Sequence, residues 1–352
     1  MGIGGAETMI MNIYRKIDRS KIQFDFLIST DEECFYEKEI LQFGGNVYRT
    51  VTKSSHPIRY CQDLWRLIKQ NRYPIVHVHA SNAMGAIPIV VSKYSGVRKR
   101  IIHSHNSNSD GRKVLHYLLR PILNYFSTDK LSCSDLASKW MYATEDNVFV
   151  INNPIDCELF MYNKKLRKDV QNELQLKEKI TFAHVGRFSK QKNHLFLIDV
   201  FECIYKKEPN SILLLIGTGE LQNEIEKIVY TRNLSDAVRF LGVRSDVYKV
   251  LQACDGFLFP SLYEGLPLTL IEAQASGLIC WVSDVITQQV AVTGLIKKIS
   301  LDRSAEEWAD IVLNDFGMPV DRESCNQLVS HKFDSEFIAD YMVKKFYKVE
   351  SN

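Results

Sequence analysis

Apolar positions along the chain fall into two kinds of pattern. Short, nearly continuous runs read as buried strands, and longer stretches with apolar residues every three or four positions read as amphipathic helices. In the first half, residues 24–29, 46–51, 75–80, 100–105, 130–134 and 148–152 are predicted strands. Helical patterns lie between them at 58–71 and 112–127, and Pro121 predicts a kink or split in the second. The second half repeats the scheme, with strands at 180–186, 212–217, 238–242, 256–260 and 278–283 and helices at 194–207 and 221–232. Such alternation predicts parallel sheets, joined by right-handed crossovers and covered on both faces.

The strands suffice for two such sheets. The polar, turn-forming stretch 152–160 separates the two series and reads as a linker. The predicted organisation is α/β: one doubly wound domain at 1–153, a second at 154–333, and an amphipathic helix within 334–352 that crosses back onto the first. Two facing domains of this kind line one cleft with the carboxyl ends of their strands, where open α/β sheets bind ligands.

Composition narrows the class. The chain has 352 residues, 45% hydrophobic and 24% charged, as a soluble two-domain protein has. No apolar run is long enough to span a bilayer, and the first residues lack the basic-then-apolar order of a signal peptide. Eight cysteines occur singly without a CxxC pair, which argues against a zinc cluster or thioredoxin-like site and suits reduced thiols in the cytoplasm. Residues 1–155 hold 20 Lys+Arg against 14 Asp+Glu, a balance of +6, and the remainder hold 24 against 28, a balance of −4. A basic first half suits an anionic membrane surface or a phosphate-bearing acceptor, and equally a solvated mild excess.

Candidate chemistry follows the predicted strands. "GRFSKQKN" (186–193) places Arg187 and Lys192 in one loop ahead of a helix, an arrangement that suits a diphosphate or a solvated basic loop. "GTGE" (217–220) begins with Gly217, and small residues at such a turn let backbone approach a ligand. In "YEGLPLTLIEA" (263–273), Pro267 suits the first turn of a helix, and Gly277 its end. The amides of Leu268 and Thr269 are then available to an anion, flanked by Glu264 in the loop and Glu272 a turn into the helix. Carboxylates are poor phosphate ligands but good acceptors for sugar hydroxyls. The competing reading makes Glu264 a helix cap and Glu272 half of a surface ion pair. In the first half, His77 and His79 end one strand and His103 and His105 another, each pair on one face. No carboxylate joins them in sequence, so a polar, sugar-contacting role is expected rather than a metal site.

Taken in order, "GGAE", "HSHN", "GRFSKQKN", "LLIGTGE", "RFLG" and "EGLPLTLIE" resemble the retaining GT-B glycosyltransferases of family 4 over nearly the whole chain. The tail at 283–312 gives the flavour of bacterial enzymes building exopolysaccharide or capsule. The resemblance implies two Rossmann-like domains and a nucleotide-sugar donor, a UDP-sugar before a GDP-sugar, held mainly by the second. Arg187 and Lys192 would hold the diphosphate, Glu272 the ribose and Glu264 the donor sugar. Backbone near Gly242 and Val243 would read the base, and Gly4 and Gly5 would let the N-terminal loop approach the donor. His105 matches the active-site histidine of the family. The resemblance further implies retention of anomeric configuration by front-face transfer, with neither cofactor nor metal. The acceptor would be a glycan or a polyprenyl-diphosphate-linked saccharide, with no nucleic-acid partner, and the enzyme cytoplasmic, peripheral on the cytoplasmic face of the membrane.

Members of the family begin with a strand before the glycine loop, whereas here "MGIGGAE" starts at the loop itself. The expectation is a first domain lacking its first strand, through a mis-set start or a shortened chain. Two other readings share the architecture: a nucleotide-sugar 2-epimerase, and an inactive partner subunit. The former needs acid/base carboxylates around the sugar ring, and intact Arg187, Lys192, Glu264 and His105 argue against the latter. A dehydrogenase is disfavoured, because "GIGGAE" lacks the third glycine of G-x-G-x-x-G.

Overall fold

The computed structural model describes residues 5–30, 32–108, 113–318 and 320–348. The chain divides into two compact units, one of residues 155–334 and one formed by 1–154 together with 335–352. Both are α/β with all strand pairs parallel.

In the first unit, β1 (Phe26–Ile28) pairs with β2 (Val47–Arg49). A separate four-stranded sheet runs β3 (Ile75–Ala80), β4 (Lys99–Ser104), β5 (Asp129–Ser132) and β6 (Phe149–Val150), neighbours in that order. Helix Gly5–Lys16 opens the described residues, and the predicted lack of a preceding strand falls outside them. Helix Pro57–Asn71 starts with proline at its first turn and ends at Arg72, whose backbone is left-handed. Pro121 does not split its helix, which runs unbroken from Lys113 to Phe126. One face of the four-stranded sheet buries Ile102 against Ala86, Ile89 and Leu123 from two covering helices. The last helix, Ser335–Met342, continues as a π-helical turn over Val343–Tyr347. There Tyr347 packs its ring on Phe24 at 5.3 Å and bonds His77 Nδ1 at 2.9 Å.

The second unit carries one six-stranded sheet. Its strands are β7 (Ile180–Val185), β8 (Ser211–Ile216), β9 (Val238–Gly242), β10 (Gly256–Phe259), β11 (Ile279–Ser283) and β12 (Ile296–Ile299), and their spatial order is β12-β11-β10-β7-β8-β9. The chain winds outward from β7 through β8 to β9, then returns beside β7 and winds the other way. Adjacent β7 and β10 thus form the topological switch point, beyond whose carboxyl ends open α/β sheets bind their ligands. The core packs Phe182, Leu213, Leu215 and Trp281 from the sheet against Leu197, Phe201 and Ile204 of helix His194–Lys207 and Trp308 and Val312 of helix Ala305–Asp315. Each such large apolar side chain contributes about 1.5–3 kcal/mol by leaving water.

Candidate active site

The loops after β7 and β10 meet at the switch point and are tied together by hydrogen bonds. Leu262 N–H donates to the Gln191 carbonyl at 2.8 Å. The Gln191 amide donates to the Tyr263 carbonyl at 2.9 Å and to Glu264 Oε2 at 3.0 Å, and Asn193 donates to the Pro260 carbonyl at 3.2 Å. At the centre, Lys192 Nζ donates to Glu264 Oε1 at 2.6 Å. Both side chains are largely buried, 14% and 8% exposed, so little water screens the pair. Lys192 Nζ also lies 4.6 Å from the centre of the Phe259 ring. The two residues expected to meet phosphate and sugar are thus in contact. Glu264 is neither free in the loop nor set against the helix start alone, and Gln191, which the sequence reading did not single out, buttresses it.

Helix Leu268–Ala275 follows directly, with Pro267 as its extended N-cap and Gly277 in a left-handed backbone just beyond its end. Its first amides, Leu268 and Thr269, have no intrahelical acceptor, as at any helix start. The hydroxyls of Thr269 and Ser261 are buried without a partner among the described residues. Glu272 lies one turn along the same helix. Part of its side chain reaches solvent, but burial pushes its carboxyl up to about 7, and no cation among the described residues pairs with it. The surface ion pair that was the alternative for Glu272 is therefore not formed among the described residues.

Three further loop positions border this group. Arg187 is exposed and reaches Glu220 at 3.0 Å. Gly217 has φ +136°, and a Cβ there would lie 2.1 Å from the Gly186 carbonyl oxygen. Its N–H donates to the Gly242 carbonyl at 2.8 Å, which brings the ends of β8 and β9 together. Val243 follows, half exposed. Behind the β7 loop, His184 donates from Nδ1 to the Leu258 carbonyl at 2.8 Å, and His194 stacks on Phe188 at 4.2 Å. Burial lowers both imidazoles, His194 to about 3, so both are neutral. Neither was visible as a site residue in sequence, because their partners come from other elements.

In the first unit, the histidines of β3 and β4 form a ladder on one sheet face. His79 is directly opposite His103, and His79 Nδ1 and His105 Nε2 share a hydrogen bond of 2.7 Å. Ring centres of His103 and His105 are 4.4 Å apart, and those of His77 and His79 are 4.1 Å apart. Burial holds all four neutral, with His105 down to about 4 and His77 to about 3. Gly5 is the first residue of its helix, and Gly4 lies outside the described residues.

The arrangement in the second unit offers cations and a helix N-terminus to an anion, and carboxylates to hydroxyls. Residues 3–159 match the model of Glycosyltransferase Family 4, and residues 167–313 that of Glycosyl transferases group 1. The chain is 34% identical to the putative glycosyltransferase EpsF of Bacillus subtilis (strain 168), over 89% of this chain and 84% of that one. It belongs to this glycosyltransferase family. A second relative of this glycosyltransferase is the UDP-Gal:alpha-D-GlcNAc-diphosphoundecaprenol alpha-1,3-galactosyltransferase of Escherichia coli, 32% identical over 63% of this chain and 60% of its relative. Among solved structures, Anabaena HepE in complex with UDP and glucose superposes with a TM-score of 0.81 at 17% identity, over 98% of this chain and 96% of HepE. That likeness establishes the GT-B fold, with each unit of this glycosyltransferase Rossmann-like.

Proposed function

We propose that the chain is a retaining, metal-independent glycosyltransferase that moves a sugar from a UDP-sugar to a glycan or polyprenyl-diphosphate-linked saccharide in surface polysaccharide synthesis. The observation that carries this reading is the Lys192–Glu264 pair at the switch point, ahead of the N-terminus of helix Leu268–Ala275. A departing nucleoside diphosphate gathers negative charge. Lys192, Arg187 and the amides of Leu268 and Thr269 are the groups that would stabilise it, with no metal required. Glu264 accepts from hydroxyls of the donor sugar, and Glu272 from the ribose. Gly217, Gly242 and Val243 border the nucleoside, and the family resemblance assigns His105, kept neutral by burial, together with Gly4 and Gly5, to the donor. The E. coli relative, whose name carries both a UDP-sugar and a diphosphoundecaprenol acceptor, supports the donor and acceptor classes. No described helix is long and apolar enough to cross a membrane. In this reading the enzyme works at the cytoplasmic face of the membrane as a peripheral protein, where a lipid-linked acceptor like that named for the E. coli relative would be met.

Thermal-shift measurements with UDP-, GDP- and ADP-sugars test the donor, and only UDP-sugars are expected to raise the melting temperature. Transfer assays on Glu264→Ala, Lys192→Ala and His105→Ala test the residues, and each variant is expected to stay folded and lose transfer. Unchanged turnover in all three would refute the assignment. Activity should persist in EDTA, and NMR of the product should show the anomeric configuration of the donor.

A further inference from the structure

A hydrogen bond between two neutral histidines fixes more than a distance. Each imidazole carries one N–H and one bare nitrogen, so the bond decides which nitrogen bears the proton in both rings. His79 Nδ1 and His105 Nε2 are 2.7 Å apart, and burial keeps both rings neutral. Two arrangements satisfy that contact. In one, His105 Nε2–H donates to His79 Nδ1, and both rings hold their proton on Nε2. In the other, His79 Nδ1–H donates to His105 Nε2, and both hold it on Nδ1. A neutral histidine side chain intrinsically favours the proton on Nε2, so the first arrangement gives both rings their preferred form.

The surroundings hold the pair in place. His105 follows β4 directly, and its backbone N–H donates to the carbonyl of Ala80, the last residue of β3, at 3.2 Å. His103 is fully buried, and its ring stacks on His79 at 5.4 Å and on His105 at 4.4 Å. His77 lies 4.1 Å from the His79 ring and is itself tied through Nδ1 to the Tyr347 hydroxyl. His105 Nδ1 is buried and has no partner among the described residues. A buried polar atom left unpaired costs free energy until a ligand group meets it. Here it is the nitrogen across the ring from the one that His79 holds.

We propose that His79 is a positioning residue for His105. By accepting from His105 Nε2–H, it fixes the orientation and tautomer of that ring and leaves Nδ1 as a hydrogen-bond acceptor for a hydroxyl of the donor. The role in transfer rests on the assignment of His105 to the donor made above, whereas the tautomer is a property of the free protein.

The test is long-range proton–nitrogen NMR of the full chain with nitrogen-labelled histidines, its nine imidazoles assigned by single substitutions. With no donor added, His105 is expected as a single Nε2–H tautomer with a bare Nδ1. His79→Leu keeps much of the bulk but supplies no acceptor. It should release His105 into a mixture of tautomers and lower kcat about tenfold to a hundredfold, with a smaller change in KM for the donor. His79→Asn puts an amide oxygen near the position of Nδ1 and should restore the single tautomer and most of kcat. His79→Gln, whose amide reaches the position of Nε2, should not. Packing alone would give the opposite order, with leucine tolerated and asparagine not. That order, or an Nδ1–H tautomer of His105 in the wild type, or a His105 tautomer unmoved by His79→Leu, would overturn the proposal. A changed tautomer with unchanged turnover would confirm the bond and remove His105 from the reaction.

Discussion

Glu272 makes stability depend on pH in a defined direction. Burial raises its carboxyl from an ordinary 4.5 to about 7, so the folded protein holds the proton more tightly than the unfolded chain. The stability it contributes is fully present below about pH 4.5 and is lost as pH rises through about 7. Urea melts across that window should show Glu272→Gln with a flatter stability profile than wild type, and identical profiles would show that the carboxyl is not desolvated. The ionised carboxylate accepts hydroxyls better than the neutral acid, so donor affinity is expected to rise across the same window. Lys192 and Glu264 depend on each other differently. Lys192→Ala removes the counter-ion of a carboxylate that is 8% exposed, and an expected loss of about 3–5 kcal/mol follows by urea unfolding. Glu264→Gln keeps a polar group for Gln191 and should lose less, so the reverse order would show that the pair does not hold the two loops.

The turn after β8 carries the element-scale prediction. Gly217→Ala forces a Cβ against the Gly186 carbonyl at a φ that L-residues rarely adopt, and should cost about 3 kcal/mol or more in urea unfolding. Gly242, at φ +64° with open space around it, should cost only about 1–2 kcal/mol on the same change. Equal losses would mean that the contact with Gly186 is relieved at no cost. These elements were largely legible in the sequence. Buried parallel strands are nearly continuous apolar runs, and β3, β9 and helix His194–Lys207 fall where the pattern puts them. β12 was not read, because Ile296–Ile299 is an edge strand with lysines at its two middle positions, and it owes its conformation to pairing with β11. The split that Pro121 allowed does not occur, since packing of Leu119 and Leu123 holds the helix through it. Loop residues such as Lys192 and Glu264 stood out by type and spacing. Their contact, across 72 positions of chain, did not, because only the strand order brings β7 beside β10.

For the whole molecule, buried neutral histidines set the response to acid. His77, His79, His103 and His105 in the first unit, and His184 and His194 in the second, are held below their ordinary value by desolvation. Below about pH 6.5 the unfolded chain takes up protons that the folded protein refuses. Stability is therefore lost as pH falls, by up to about 1.4 kcal/mol per pH unit for each histidine. Hydrogen exchange at pH 5 and 7.5 should show the first unit, with its four-histidine ladder, losing more protection on acidification than the second, once exchange rates are corrected for pH. Equal losses would place the sensitivity elsewhere. The division of the chain bears on synthesis as well. The second unit is one continuous segment, 155–334, whereas the first is assembled from both ends of the chain, and the His77–Tyr347 bond closes a separation of 270 positions. At about 5–20 residues per second, a ribosome needs roughly 10–40 s to make the intervening segment. The unit begun first is therefore the one finished last. It must wait without the Tyr347 contacts to Phe24 and His77, and a chain cut before Ser335 would carry its defect at the opposite end of the sequence.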